Sequence, residues 1–249
     1  MSRRRLIGGS VAAVVAGAIS GVIGSQLALS DATIRFIGND ASILALLDTG
    51  RERVLIVLGS PNERLLKNAI GLRTIGNHRL DLIIAPYQVL ATTTAREELQ
   101  FDTVQSVSVQ GNLSLPPVRG KVLPIAEALE IGVGNSGRLR VLPMAMVAGT
   151  TPAENPDYLV EVDLSGARLT LASSDTALRL ASGRSAHLVA VPGSPGPIAL
   201  NRPAAPLIVC SRPIEPQPEI VQMPVYSNDP VVVQLKRDGI SINSNQLSS

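Results

Sequence analysis

The chain has almost no aromatic residues, with two Phe, three Tyr and no Trp among 249 residues. That scarcity argues against single-stranded nucleic-acid and carbohydrate platforms, which stack bases or sugars on rings. The core must come from Val, Leu, Ile and Ala, and a 45% hydrophobic composition supplies enough of them. One cysteine, Cys210, excludes an intrachain disulfide. It lies in the apolar run PLIVCS, which reads as a buried, inert thiol. Two histidines, His78 and His187, and no Cys-x-x-Cys leave little material for a metal centre.

Excess charge of either sign is also lacking. The sequence pI is near 9.0, but three of the 22 basic residues are Arg3, Arg4 and Arg5, leaving 19 against 20 acidic ones. A near-neutral body argues against direct DNA binding.

What is present begins with an address. Residues 1–30 carry a basic start, an uncharged apolar stretch and small residues before Asp31. The segment Ser2–Gly8, SRRRLIG, resembles a twin-arginine export motif with Arg3 and Arg4 as the pair. Ala28 and Ser30 stand where a signal peptidase reads small side chains. The alternative is an uncleaved anchor, because residues 6–29 carry no charge and span about 36 Å as a helix. Either way residues 31–249 are expected outside the cytoplasm, since the arginines stay inside.

The body reads as a strand meander, then strand–helix–strand, in each half. TIRFIG, SILALL and RVLIVLG are strands joined by turns at 38–40 and 48–50. A helix is expected next, with Ser60 as its N-cap, Pro61 first and Glu63 completing a capping box. Its apolar stripe is Leu65, Leu66, Ala69 and Ile70. A buried strand ends at Ala85, a short helix covers TTTAREEL, and TVQSVSVQ is again a strand. LSLPPVRGKVLP reads as a Pro-rich connection, and the second half adds eight strands and a helix over Asp175–Leu180. The pattern implies two sheets packed face to face with helices outside.

The order of these pieces resembles the metallo-β-lactamase fold, most closely the extracytoplasmic β-lactamase-like domain of ComEC-type competence proteins. FIGNDASILAL stands where the family has a strand, a VGQGDA turn and a strand; LDLIIAPYQVLAT stands for LDLLILTHPHADH. YLVEVDLSGARLTLASSD matches the strand pair ending in LTGD, and HLVAVPGSPG the DVLKVPHHGS segment. RPAAPLIVCS and VVVQLKRDGISIN match the closing strands. The resemblance covers residues 33–243 and implies an α+β, four-layer αβ/βα sandwich.

It also implies a degenerate active site. The family's His-x-His-x-Asp-His zinc box falls on Tyr87, Val89, Ala91 and Thr92, and the HHGS ligand on Gly193 or Ser194. Only two carboxylates survive, Asp40 of the opening turn and Asp175 of LTGD. A catalytic zinc needs about three protein ligands, and without it nothing lowers the pKa of water to ~7. The expectation is no cofactor and no metal.

Other patterns read as structure. Gly132-Val-Gly134-Asn-Ser-Gly137 matches G-x-G-x-x-G, but a strand follows it and not a helix, so it is a hairpin turn. Asp40 suits a turn and Asp175 a helix N-cap. The reading is a non-catalytic, exported or membrane-anchored binding or scaffolding protein with a protein partner at the cell envelope. Its rivals are a hydrolase with an unconventional site around Asp40, Asp175 and a histidine, and an accessory subunit of a bacterial membrane complex.

Overall fold

The computed structural model describes residues 32–71, 79–86, 102–109, 122–125, 127–144, 157–180, 185–194, 207–212, 220–236 and 239–242. Two sheets contain all the strands among these. The first has the order β15-β14-β1-β2-β3-β4-β5-β6. Its members are β1 (Ala32–Asn39), β2 (Ser42–Asp48), β3 (Arg53–Gly59), β4 (Arg79–Pro86), β5 (Asp102–Val109), β6 (Val122–Ile125), β14 (Val231–Lys236) and β15 (Gly239–Ile242). The second has the order β13-β12-β11-β10-β9-β8-β7. It comprises β7 (Leu129–Val133), β8 (Gly137–Pro143), β9 (Tyr158–Leu164), β10 (Ala167–Ala172), β11 (Leu188–Val191), β12 (Leu207–Cys210) and β13 (Val221–Pro224).

Side-chain alternation assigns the faces. In β1, Ile34 and Phe36 point between the sheets while Ile37 points outward. In β12, Leu207 and Val209 point inward while Ile208 and Cys210 point outward. The inter-sheet core is aliphatic apart from Phe36 and Tyr158. Each fully buried Ile, Leu or Val there contributes about 1.5–3 kcal/mol, which is how a chain this poor in rings holds two sheets together.

Two helices cover parts of the outer faces. Helix α1 (Glu63–Gly71) lays Leu65, Leu66 and Ala69 on the outer face of the first sheet, chiefly over β1 and β2. Helix α2 (Asp175–Leu180) lays Ala177 and Leu178 on the second sheet. Their caps differ from expectation by one or two residues. Asn62, not Ser60, caps α1, its Oδ1 accepting the Leu65 N–H at 2.9 Å. Ser174, not Asp175, caps α2, its Oγ accepting the Ala177 N–H at 3.1 Å.

The expected α+β, four-layer αβ/βα sandwich is overturned. The described residues form fifteen strands and two short helices, so the protein is predominantly β. Among the described residues α2 packs on β9 and β10, while part of the outer face of β7–β9 is wet. Glu130, Arg138, Arg140 and Glu161 line that face, paired as Arg138–Glu130 and Arg140–Glu161, each at 3.4 Å. Residues of β7 and β8 alternate buried and wet, the pattern of a sheet with one solvated side. Two strands were also missed. β6 lies inside the stretch read as a Pro-rich connection, and β13 is four residues with no alternation to mark it. The helix expected over TTTAREEL and the tail 243–249 lie outside the described residues.

Polar contacts join the sheets at the end where β2 turns into β3 and β7 into β8. Glu52 accepts the Gly134 N–H at 2.8 Å, and Arg51 Nη1 donates to Asn135 Oδ1 at 2.9 Å. The G-x-G-x-x-G stretch is thus a hairpin used as a clasp. Burial, and secondarily Asp81, raise the Glu52 pKa, against the pull of Gly134 and Arg51. A raised folded pKa contributes stability that is present in acid and lost as pH rises through it. The Glu52→Gln variant keeps the acceptor and removes the charge. It is expected to raise stability near neutral pH by on the order of 0.5 kcal/mol, the half-buried site being partly screened. Thermal melts across about pH 4 to 7 check this: the downward slope with pH should flatten, and an unchanged slope would contradict it.

Candidate functional site

The opposite end of the sandwich gathers the chemistry. Ser42 pairs with Gly59, so the β1–β2 turn and the end of β3 share one edge. Strands β3 to β6 run parallel, as do β10 to β13, and their carboxyl ends open on the same mouth. A crevice at the carboxyl ends of parallel strands is where α/β and related folds place ligands.

Asp40 sits at the tip of the β1–β2 hairpin. Asn39 fixes this turn, its Oδ1 accepting the Ala41 N–H at 3.0 Å and the Ser42 hydroxyl at 2.9 Å. The Asp40 carboxylate then reaches across the mouth to Arg212, two residues beyond β12, with Nη2–Oδ2 at 2.8 Å. This hydrogen bond, with the guanidinium charge, holds the Asp40 pKa below its ordinary value and raises that of Arg212. Arg212 is anchored by its own N–H, which donates to the Gly193 carbonyl at 3.0 Å.

Asp175 opens α2 at the same end. Its carboxylate accepts from Arg179 one turn on, at 2.7 Å to Nη2 and 2.8 Å to Nε. Gly193 follows β11 with φ +81°, and a Cβ there would meet nothing within 4 Å. The backbone conformation, not crowding, therefore favours glycine. Tyr87, Val89, Ala91 and Thr92 lie outside the described residues, as do His78, Arg3 and Arg4. His187 lies away from the mouth. It precedes β11, so the length of that strand separates it from Gly193. Its Nδ1 accepts the Arg168 N–H at 2.9 Å and its own N–H donates to the Arg168 carbonyl. The structure thus brings Asp40, Asp175 and Gly193 to one end and leaves His187 at the other.

Residues not anticipated from sequence also stand there. Arg212 was missed because its meaning depends on a partner 172 positions away. Tyr158 and Ser211 were missed too. Tyr158 is fully buried, and Ser211 is nearly so. Neither hydroxyl has a hydrogen-bond partner. Burial alone drives the Tyr158 pKa far above the ordinary phenol value. Cys210, next to Ser211, is free and buried, and burial pushes its thiol up to about 11, as an inert cysteine requires.

The fit to a metal can be judged on these donors. Among the described residues no group of three or more His, Cys, Asp or Glu side chains could hold an ion. Both carboxylates at the mouth already hold a guanidinium. The described residues of this end do not by themselves supply the three protein ligands and open position of a catalytic zinc.

Comparison with solved structures decides the architecture. The chain superposes on the metallo-β-lactamase fold protein YhfI from Bacillus subtilis with a TM-score of 0.50, over 75% of this chain and 88% of that one. The fold is metallo-β-lactamase-like. At 9% identity the likeness is one of fold alone. No family model matches the sequence, and no curated protein matches it. Within the metallo-β-lactamase-like frame, the Asp40 turn, Asp175 and Gly193 lie at one end of the sandwich. In this chain that end holds arginine–carboxylate pairs.

Proposed function

We propose that the protein is a non-catalytic binding or scaffolding module on a metallo-β-lactamase-like fold that has lost its zinc site. The observation that carries this reading is the Arg212–Asp40 pair. A guanidinium occupies the carboxylate that the resemblance assigns to the metal centre. Arg179 holds the other surviving carboxylate in the same way. The motif positions Tyr87, Val89, Ala91 and Thr92 support the reading from sequence, since none is a good zinc ligand. The order of motifs further favours kinship with the ComEC-type domain. The near-neutral body argues for a protein partner at the cell envelope and against nucleic acid.

The rival hydrolase around Asp40, Asp175 and a histidine loses His187 to the far end of β11. The accessory-subunit reading is a special case of the scaffold. The assay that separates scaffold from enzyme offers β-lactam, thioester and phosphodiester substrates with zinc supplied. Hydrolysis is expected to stay at background. Turnover that Asp40→Asn or Asp175→Asn abolishes would overturn the reading.

Export rests on residues 1–30 and belongs to the same proposal. Among the described residues no helix is long and apolar enough to cross a membrane. Arg3→Lys with Arg4→Lys is expected to hold the protein in the cytoplasm, because a receptor for the arginine pair reads guanidinium geometry and not charge alone. Normal export of the double variant would contradict a twin-arginine signal.

A further inference from the structure

The direction of β1 fixes which end of the sandwich the N-terminal segment leaves from. β1 begins at the clasp end, where Ala32 pairs with Leu235 and Thr33 with Asp48, and it ends at Asn39 beside the Asp40 turn. The turns 48–52, 134–136 and 165–166 share the clasp end with Ala32. The uncharged stretch 6–29 stops just before this strand, with Ser30 and Asp31 between. From Leu29 to Ala32 the chain reaches at most about 11 Å. The eight residues of β1 carry the mouth about 23 Å further along the strand.

The same geometry bears on whether residues 1–30 are removed. The bond before Asp31 lies one residue from Ala32, which is 2% exposed and already in the ladder. β1 is no edge strand, since β14 pairs with it on one side and β2 on the other. Proteolysis concentrates at exposed backbone free of such bonds. A peptidase binds extended chain on both sides of the bond it cuts. In the folded domain the far side of this bond is locked inside a sheet. Folding therefore protects the junction between the apolar stretch and the domain.

We propose that residues 6–29 are retained as an anchor and that the clasp end faces the bilayer, with the Asp40–Arg212 mouth turned away from it. Residues 1–31 lie outside the described residues, and the absence of charge over 6–29 is a property of the sequence. That stretch is long enough to cross a bilayer, and Arg3, Arg4 and Arg5 hold its start in the cytoplasm. The polar turns 48–52 and 134–136 then rest on the lipid headgroups. The mouth opens into water, where a soluble or peripheral envelope protein reaches it and a neighbouring membrane helix does not. The inference rests on the export part of the proposed function and not on the loss of a zinc site.

The full chain tests it in two steps. Its mass in the membrane fraction of the producing cell is expected to be the whole 26.1 kDa. The purified full chain is then placed in phosphatidylcholine vesicles that carry a headgroup-spin-labelled lipid, with a fluorophore on one introduced cysteine. Ser136→Cys puts the fluorophore at the clasp end and Ala41→Cys puts it at the tip beside the mouth, both exposed positions. The native Cys210 is buried and stays unlabelled. The spin-labelled lipid should quench the fluorophore at position 136 strongly and leave the one at position 41 as bright as in unlabelled vesicles. An exported chain that has lost residues 1–30 overturns the anchor and leaves export intact. A full-length chain in the soluble cytoplasm overturns the export reading and this inference with it. Full-length membrane protein quenched equally at both positions, or more at 41, overturns the orientation alone. None of these results bears on hydrolysis, so the non-catalytic reading is tested separately.

Discussion

Replacing Gly59 with alanine is expected to cost about 3 kcal/mol or more, a large part of the 5–15 kcal/mol that ordinarily holds a domain folded. Gly59 ends β3 with φ +80°, where a residue with a Cβ is strained. The added Cβ would also lie 2.3 Å from the Ala41 carbonyl oxygen and 3.3 Å from the Ser42 Cα. The clash is with backbone, so no rotamer relieves it. Gly59 pairs with Ser42, beside the turn that carries Asp40, and the chain leaves it towards α1. The substitution therefore disturbs the hairpin tip and the helix start together. Urea denaturation measures the loss. A change below about 1 kcal/mol would show that the turn can open without consequence.

Two hydroxyls on neighbouring strands are expected to act with opposite signs. Ser173 Oγ accepts the buried Tyr158 N–H at 2.8 Å, and the Ser173 N–H donates to the Tyr158 carbonyl at 2.9 Å. Ser173→Ala removes the first of these acceptors and strands a buried donor, for about 1–3 kcal/mol of lost stability. The Tyr158 hydroxyl is itself buried and unpartnered. Tyr158→Phe keeps the ring in the inter-sheet core and deletes the unpaired group, so stability should be unchanged or rise by up to about 1 kcal/mol. Melting both variants beside the parent is enough. A Tyr158→Phe protein as destabilised as Ser173→Ala would mean that the hydroxyl has a partner after all.

Two packed sheets were legible from sequence because alternation and continuous apolar runs are local. In RVLIVLG the five residues Val54–Leu58 are buried on both faces, between α1 and the second sheet, and the run reads as such. The charged residues on β7–β9 were legible as parts of strands but not as cross-strand neighbours, because only the register brings separate Glu and Arg residues together. The helix caps slipped for a similar reason. Asn62 and Ser174 compete with Ser60 and Asp175 for the same role, and only the path of the chain decides between them. Motif order singled out Asp40 and Asp175, which the structure sets at one end of the sandwich. That Arg212 would meet Asp40 was not legible, since sheet order is what joins positions 172 residues apart.

The central proposal is that arginines, and not a metal, hold the Asp40 and Asp175 carboxylates. Elemental analysis of the full chain, produced with zinc in the medium and purified without chelators, tests it most directly. The account predicts zinc far below one ion per chain, and no gain in melting temperature when zinc is added. About one or more zinc ions per chain, lost on chelation with a fall in melting temperature, would contradict it.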